Sequence, residues 1–398
     1  MVEVTAGRGG MLRAAVVAVA ILLVTFAVNL QMPLYDVYAD RAHYGTGMTA
    51  VVFAMYVAGL LPALLLLGGV SDRVGRKPAV LAGLTCSLTA TALTVASPTM
   101  HALFPARFLQ GLGVGLSVSA GSAYLVELLH AESDRAARLV GMTTTLGFGS
   151  GALFTTLTDS SDTDLVPPSY WTVLVLLAVT VVVLAAFVPY LPPRGGAMIR
   201  LPSYPPGTAW PAFTIATAWA ISGLVVAVVP DQLADRGLHA WAGPVLFLVN
   251  GAGACVQPYV HRMEPARAIR VGLWLLPVGY GLLVAGAAVG SVALLLSGAA
   301  VAGASCYGFA YLGGLKEVGR RGLAQPARST AGYFTAAYVG FGAPSILLGF
   351  VADSVGLVTA LGAFGAVIGL GAAALLAGER RVPLPPADRR EPADVGSA

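Results

Sequence analysis

Residues 68–80 read GGVSDRVGRKPAV, with one acid and three bases inside six positions, Asp72 to Lys77. Apolar runs of about twenty residues flank the stretch on both sides, each long enough to cross the hydrocarbon core of a bilayer as a helix. A charged turn between two such runs is a loop at a membrane surface, and this reading decides the fold class. Composition agrees. Hydrophobic residues make up 57% of the 398 positions and charged ones 11%, with a mean hydropathy of +0.79, whereas a soluble domain carries about 25% charge. Most of the chain is therefore solvated by lipid.

Working outward from the loop gives twelve candidate helices, at 12–34, 48–70, 79–97, 101–128, 139–158, 169–191, 209–229, 242–260, 271–290, 291–315, 332–352 and 356–377. Only Gly290-Ser291 interrupts the apolar run between the ninth and tenth, which leaves a count of eleven open. The first span follows Arg8 and Arg13 as a signal peptide would, but eleven more follow it, so it is expected to stay as the first helix. Cys86, Cys255 and Cys306 all fall in apolar runs and read as small buried hydrophobes, with no disulfide framework or metal site.

Basic residues set the orientation. With both ends cytoplasmic, the inner segments are the N-terminal tail, 71–78, 130–138, 192–208, 261–270, 316–331 and the C-terminal tail, and together they hold 20 of the 23 Lys+Arg. Arg41 and Arg236 alone fall in outer loops, and Arg107 lies inside a span. This is the positive-inside pattern of a multi-pass protein of the cytoplasmic membrane with both termini inside. It also accounts for the net charge of +4, so no nucleic-acid partner is needed. Trp171, Tyr190, Trp210, Trp241 and Tyr259 near span ends fit interfacial belts. Arginine outnumbers lysine 21 to 2, a bias that points to a GC-rich bacterial genome.

The chain has a midpoint. Residues 191–210, LPPRGGAMIRLPSYPPGTAW, pack five prolines and three glycines between the sixth and seventh spans, as a linker does. The expected division is a six-helix bundle over 1–195, a cytoplasmic linker over 196–208 and a second six-helix bundle with a short cytoplasmic tail over 209–398. The second half repeats the span order and carries a basic loop, HRMEPARAIR, at the equivalent place, though it shows no acid opposite Asp72. Internal repeats around a midplane site are how many secondary transporters are built.

Gly68-x-x-Ser71-Asp72-Arg73-x-Gly75-Arg76-Lys77, between the second and third helices, resembles the signature loop of the major facilitator superfamily. Arg107-x-x-Gln110-Gly111-x-Gly113 in the fourth helix resembles that family's second motif, and VELLHAESDRAAR at 126–138 is similar to the acid, short loop and Arg that follow it. The resemblance implies an all-α membrane fold of twelve helices in two six-helix bundles. It also implies a cytoplasmic gate made of Gly68, Asp72, Arg73, Gly75, Arg76, Lys77, Glu127 and Arg135, with Glu127 as the acid partner of Arg76, latching the two halves while the cavity opens outward. Drug-exporting branches carry a Gly-Pro element in the fifth helix; here GMTTTLGFGSG at 141–151 keeps the glycines and lacks the proline, which weakens a claim of antiport.

Arg107 sits about seven residues inside the fourth helix, roughly 10 Å along its axis. A guanidinium at that depth is expensive unless it faces protein or a water-filled cavity. At about 100° per residue, Gln110 and Gly111 share its side of the helix while Glu127 points elsewhere. The polar groups within reach of a midplane cavity are Asn29, Gln31, Gln110, Asn250, Gln257, Tyr307, Tyr311, Tyr333 and Tyr338. No acid falls at mid-span; the nearest is Asp36, three residues after Pro33, and proton coupling would rest on it or on Glu127. In the eleventh helix, Gly340, Gly342 and Pro344 offer a hinge.

The function expected is alternating-access transport, with proton-driven efflux of a small, largely apolar drug or secondary metabolite as the leading reading and uptake of a neutral nutrient as the alternative. A cavity with one Arg suits neutral, hydrophobic or anionic substrates better than cations. A non-transporting sensor or scaffold lacks a soluble domain to support it. No nucleophile, base and orienter or metal-ligand cluster argues for an enzyme, no cofactor is expected, and the working unit is expected to be a monomer.

Overall fold

The computed structural model describes residues 8–67, 69–129, 133–159, 165–193, 195, 201–234 and 236–378. Gly68, part of the linker, the C-terminal tail from 379 and the side chain of Arg135 lie outside the described residues.

Lipid offers no water to backbone amides, so each apolar run closes its hydrogen bonds within a helix. The first bundle contains α1 (Arg8–Val28), a 3-10 turn at Met32–Leu34, α2 (Tyr35–Ala42), α3 (Thr46–Leu65), the short α4 (Val70–Val74), α5 (Arg76–Ala96), α6 (Met100–Leu128), α7 (Ser133–Thr158) and α8 (Pro168–Phe187). The second contains α9 (Ala209–Ala234), α10 (Ala242–Val260), α11 (Pro265–Val289), α12 (Val292–Gly303), which passes through a π-helical segment at Ala304–Ala310 into α13 (Tyr311–Arg321), then α14 (Pro326–Val355) and α15 (Leu357–Gly378). Counting α12 to α13 as one span, each of the twelve expected helices has a counterpart. Among the described residues, 11 helices are long and apolar enough to cross a membrane; α7 takes the remaining place, packed between α1 and α10.

The open question at Gly290-Ser291 resolves as a true break, because Gly290 adopts the left-handed conformation (φ 71°) and ends α11, a conformation that glycine enters without steric cost. Elsewhere the structure departs from expectation. The first span does not continue as one helix to residue 34; it stops at Val28, and Pro33 sits in the 3-10 turn that follows, since proline cannot supply the amide a continuing helix needs. Of the three cysteines only Cys306 is buried, while Cys86 is half-buried and Cys255 is exposed on the helix surface. Trp210 is not at the surface either: it is buried and donates its indole N–H to Leu375 O at 3.0 Å.

The two bundles meet mainly through α3 against α14 and α7 against α10. With inner and outer ends named from the charge pattern, the closest approaches lie from mid-depth to the outer end. A Cβ on Gly47 would stand 2.5 Å from the Phe350 ring, and one on Gly349 would stand 2.9 Å from Thr46 O. A Cβ on Gly243 would likewise meet Thr156 at 2.5 Å. Asp353, near the end of α14, crosses the interface and accepts from Thr46 N at 2.8 Å and Gly47 N at 2.9 Å. These are the first amides of α3, whose own N-cap, Gly45, has no side chain to offer. Asp353 thus supplies in trans the cap and the negative charge that a helix N-terminus favours, and it does so only while the outer side is closed.

Replacing Asp353 by Ala removes this cap, worth about 1 kcal/mol, or about a fivefold change in a two-state population. Spin labels at Met48 and Ser354 in liposomes are expected to report a larger share of long outer-end distances in the variant; an unchanged distance distribution would show that Asp353 does not hold the outer side shut.

Candidate functional site

The site begins at the break in the first span. A helix that ends within the membrane leaves carbonyls without intrahelical partners, and these must be satisfied by side chains. Here they are met from α6 and α7. Arg107 donates from Nη1 to Val28 O at 2.5 Å, Gln110 donates from Nε2 to Ala27 O at 3.1 Å, and Thr155 donates from Oγ1 to Leu30 O at 2.7 Å. Gln31 adds a donation from Nε2 to Val28 O at 3.0 Å and another to Gln110 Oε1 at 3.0 Å. Arg107 Nη1 also reaches Gln110 Oε1 at 3.0 Å, so the i, i+3 pair on α6 acts as one unit.

Arg107 has no exposed surface at all. Phe53 and Tyr56 of α3 lie over the guanidinium, at 5.4 and 5.1 Å from it to their ring centroids. They come this close because α6 lacks a side chain at Gly111, where a Cβ would collide with Tyr56 O. Two cation–π contacts in a desolvated setting each contribute about 2 kcal/mol, which only partly offsets the several kcal/mol that burying an uncompensated charge costs. The guanidinium Nε and Nη2 have no hydrogen-bond partner among the described residues.

A small cavity between the bundles lies against Arg107. The first bundle lines it with Val28, Asn29, Phe53, Tyr56, Arg107 and Phe148. From the second come Trp219, Asn250, Tyr307, Tyr338 and Phe341. Trp219 organises the second wall: Tyr338 meets it edge-on at 5.0 Å and 83°, and Tyr307 lies at 5.4 Å. Phe53 and Phe341 touch across the bundle boundary at 5.1 Å. Asn29 donates to Phe148 O at 2.7 Å and Asn250 to Leu246 O at 2.8 Å, so each amide nitrogen is engaged with backbone. Tyr307 shares a 2.8 Å hydrogen bond with Ser222.

The polar residues expected near the midplane thus divide. Asn29, Arg107, Asn250, Tyr307 and Tyr338 line the cavity. Gln31 and Gln110 stand behind it, repairing the broken first span. Gln257 donates to Tyr307 O at 3.1 Å, inside the π-helical segment, and Tyr333 donates to Ala310 O and Tyr311 O at its end, so both serve backbone that the irregular winding disturbs. Tyr311 stacks on Trp219 at 6.3 Å. Asp36 is outside the cavity lining, on α2, with Oδ1 buried and without a hydrogen-bond partner among the described residues. Gly340 and Gly342 lie in an unbroken α14, packed so that an added Cβ would collide with Ala216 O at the first and stand 3.2 Å from Val57 at the second. Besides Val28, the lining residues that sequence reasoning missed are the aromatic Tyr56, Phe53, Trp219, Phe148 and Phe341. Their signal was aromatic rings in the middle of spans rather than at the interfaces, but that pattern does not say which face of a helix looks inward.

At the inner end, Arg76 gathers the signature loop. It pairs with Asp72 at 2.6 Å and with Glu127 at 3.1 Å, and donates to Ser71 Oγ at 2.7 Å. The expected Arg76–Glu127 pair is therefore formed, and in this state the contacts of Arg76 tie α4 and α5 to α6 within the first bundle. Gly75 makes the turn at φ 96°, and a Cβ there would meet the Tyr190 ring at 2.8 Å. Lys77 donates to Ala185 O at 2.7 Å, closing the last turn of α8. Arg73 is exposed at the same turn.

The second bundle has an acid near the equivalent place. Glu264 caps α11 by accepting from Arg267 N at 2.9 Å and approaches Arg320 at 3.6 Å, while Glu317 pairs with Arg321 at 2.6 Å. The acid sits differently: Asp72 lies on the separate short helix α4, whereas Glu264 directly precedes α11, and Glu317 in α13 keeps an acid near the end of the equivalent helix. Alignment of the loops by spacing hides this, because Glu264 does not fall opposite Asp72.

The sequence model described as the Major Facilitator Superfamily matches residues 17–315. The multidrug resistance protein MdtL of Shewanella oneidensis is 33% identical over 92 residues, 23% of either chain. MdtL of Escherichia coli is 35% identical over 79 residues, 20% of either chain, so the chain matches less than a quarter of the length of these relatives. Among solved structures, a bacterial homolog of the human lysosomal transporter Spinster, inward-facing and unoccupied, superimposes with a TM-score of 0.75 at 12% identity over 94% of this chain and 98% of that one. A point mutant of the nucleoside transporter NupG gives 0.73 at 13% identity over 92% and 99%, and the human organic anion transporter MFSD10 gives 0.65 at 18% identity over 92% and 99%. At such identities these likenesses speak to fold alone, and the fold they share is the one described above. With the family's pattern running through most of the sequence and its two-bundle architecture in the structure, the chain belongs to the major facilitator superfamily of membrane transporters.

Proposed function

We propose that this protein is a proton-driven exporter of a small, largely apolar organic compound, working by alternating access across the bacterial cytoplasmic membrane with both termini inside. The observation that carries the reading is a mid-depth cavity lined about equally by the two bundles, lying beneath an outer side that Asp353 and the α3–α14 glycines hold closed. A site shared between two bodies changes sides when the bodies rock. The stretch similar to MdtL supports export of drug-like compounds, and the aromatic lining suits an apolar body.

In this scheme the inner cluster of Asp72, Arg76 and Glu127, with Arg73, Lys77 and Arg135, shapes the inner gate, and the outer latch at Asp353 opens as the inner gate closes. Gly340, Gly342 and Pro344 let α14 flex between the two states. Asp36, whose carboxylate has an unmatched oxygen among the described residues, is the acid we assign to the proton. One chain contains the whole path, so a monomer is the working unit.

In liposomes of known orientation with an imposed pH gradient, dye or drug probes are expected to move against the proton flow; movement that ignores the gradient, or runs with the protons, would rule out antiport. Asp72→Asn is expected to insert and elute as the wild type does but to turn over at least about fivefold more slowly, the equivalent of about 1 kcal/mol of lost ion pairing. Wild-type rates in that variant would remove the inner cluster from the switching step.

A further inference from the structure

We infer that the compound bound in the central cavity is an organic anion: a carboxylate, or an oxyanion of similar shape, seated on the unpartnered Nε–Nη2 edge of Arg107 and joined to an aromatic body held against Trp219. The inference rests on the transport reading above and gives its substrate class.

The first ground is the unfinished coordination of Arg107. Its Nη1 is committed to Val28 O and Gln110 Oε1, whereas Nε and Nη2 are buried with no acceptor among the described residues. Those two nitrogens share one edge of the planar guanidinium, and their N–H groups run parallel, the fork that takes both oxygens of a carboxylate. No acid is among the described residues that line the cavity, and none of them pairs a carboxylate with Arg107. The committed half of the group fixes its plane, so the other half is preorganised and a ligand need not order it.

The second ground is independent of charge. A further cavity-lining group, Trp219 Nε1, is buried without a hydrogen-bond partner among the described residues. The indole N–H can only donate, and the guanidinium can only donate. The unmet hydrogen bonding in the cavity is thus mainly a demand for acceptors. A ligand rich in carboxylate or carbonyl oxygens meets it; an ammonium would bring more donors and a like charge to the same place.

The third ground is shape. The second bundle lines the same cavity with the rings of Trp219, Tyr338 and Phe341, the latter two set at steep angles to the indole. They offer faces and edges to a flat apolar body, while Phe53 and Tyr56 already occupy the guanidinium's own aromatic contacts.

The test is equilibrium dialysis of the full chain in lipid nanodiscs at neutral pH with three probes that differ only at the head group: 2-naphthoate, 2-naphthamide and 2-naphthylmethylamine. The acid is expected to bind about tenfold or more tighter than the amide, with the amine weakest, as a desolvated charge pair requires. Arg107→Gln is expected to bring acid and amide within about twofold of each other, and Arg107→Lys to keep part of the difference, since it retains the charge and loses the fork. The wild-type comparison needs no variant to fold. Equal binding of acid and amide by the wild type, or a preference for the amine, overturns the inference. Flux of neutral or cationic compounds without acid preference would leave transport standing and overturn this substrate class; acid preference without flux would do the reverse.

Discussion

A helix interrupted inside lipid must find partners for the carbonyls it releases, and that requirement shapes the centre of this protein. The first span stops at Val28, and the freed carbonyls of Ala27, Val28 and Leu30 are taken by Gln110, Arg107 and Thr155. Because the Val28 carbonyl holds one nitrogen of Arg107, the guanidinium cannot snorkel outward along its helix. Its other edge is left without a hydrogen-bond partner among the described residues, in a side chain that lines the cavity between the bundles. A repair to backbone hydrogen bonding and the placement of the one charge among the described cavity-lining residues are therefore the same event.

The second bundle solves a related problem differently. Its tenth span is not broken but wound loosely through a π-helical segment, Ala304–Ala310, and such segments recur at functional sites. Gln257 and Tyr333 occupy carbonyls in and just after the segment, and Tyr307, within it, lines the cavity beside Trp219. Each bundle thus contributes one backbone irregularity, the polar side chains that stabilise it and an adjoining piece of cavity wall. The inner charge clusters differ too, with Asp72 on a separate short helix in the first bundle and Glu264 at the cap of α11 in the second. The outer latch is asymmetric too, since Asp353 of α14 caps α3.

The contact pattern gives the state a physical meaning. Close helix approaches and the Asp353 cap join the bundles on the outer side, whereas the contacts of Arg76 remain within its own bundle. Helix caps and partly exposed ion pairs are weak, about 1 kcal/mol each, so the proposed rocking can exchange them, while the Arg107 network is buried inside one bundle. The contacts between bundles and the buried network within one are held by interactions of different strength.

Much of this was legible in the amino-acid order. Span count, loop sidedness and the Asp72 motif follow from hydropathy and charge, because lipid imposes its demands on each segment separately. Even the Arg76–Glu127 pair followed from motif resemblance alone. What a single span cannot express is which side of it faces another span. Gln31, Gln110 and Gln257 look like Asn29 and Asn250 in sequence, yet the former three support backbone and the latter two line the cavity. Trp219 and Tyr56 look like packing residues and prove to be walls. Asp353 reads as a loop acid until Gly45, more than three hundred residues away in the chain, leaves α3 without a cap. Tertiary structure alone decided these roles, because a hydrogen bond or an open face is a property of two elements brought together, and the sequence describes them one at a time.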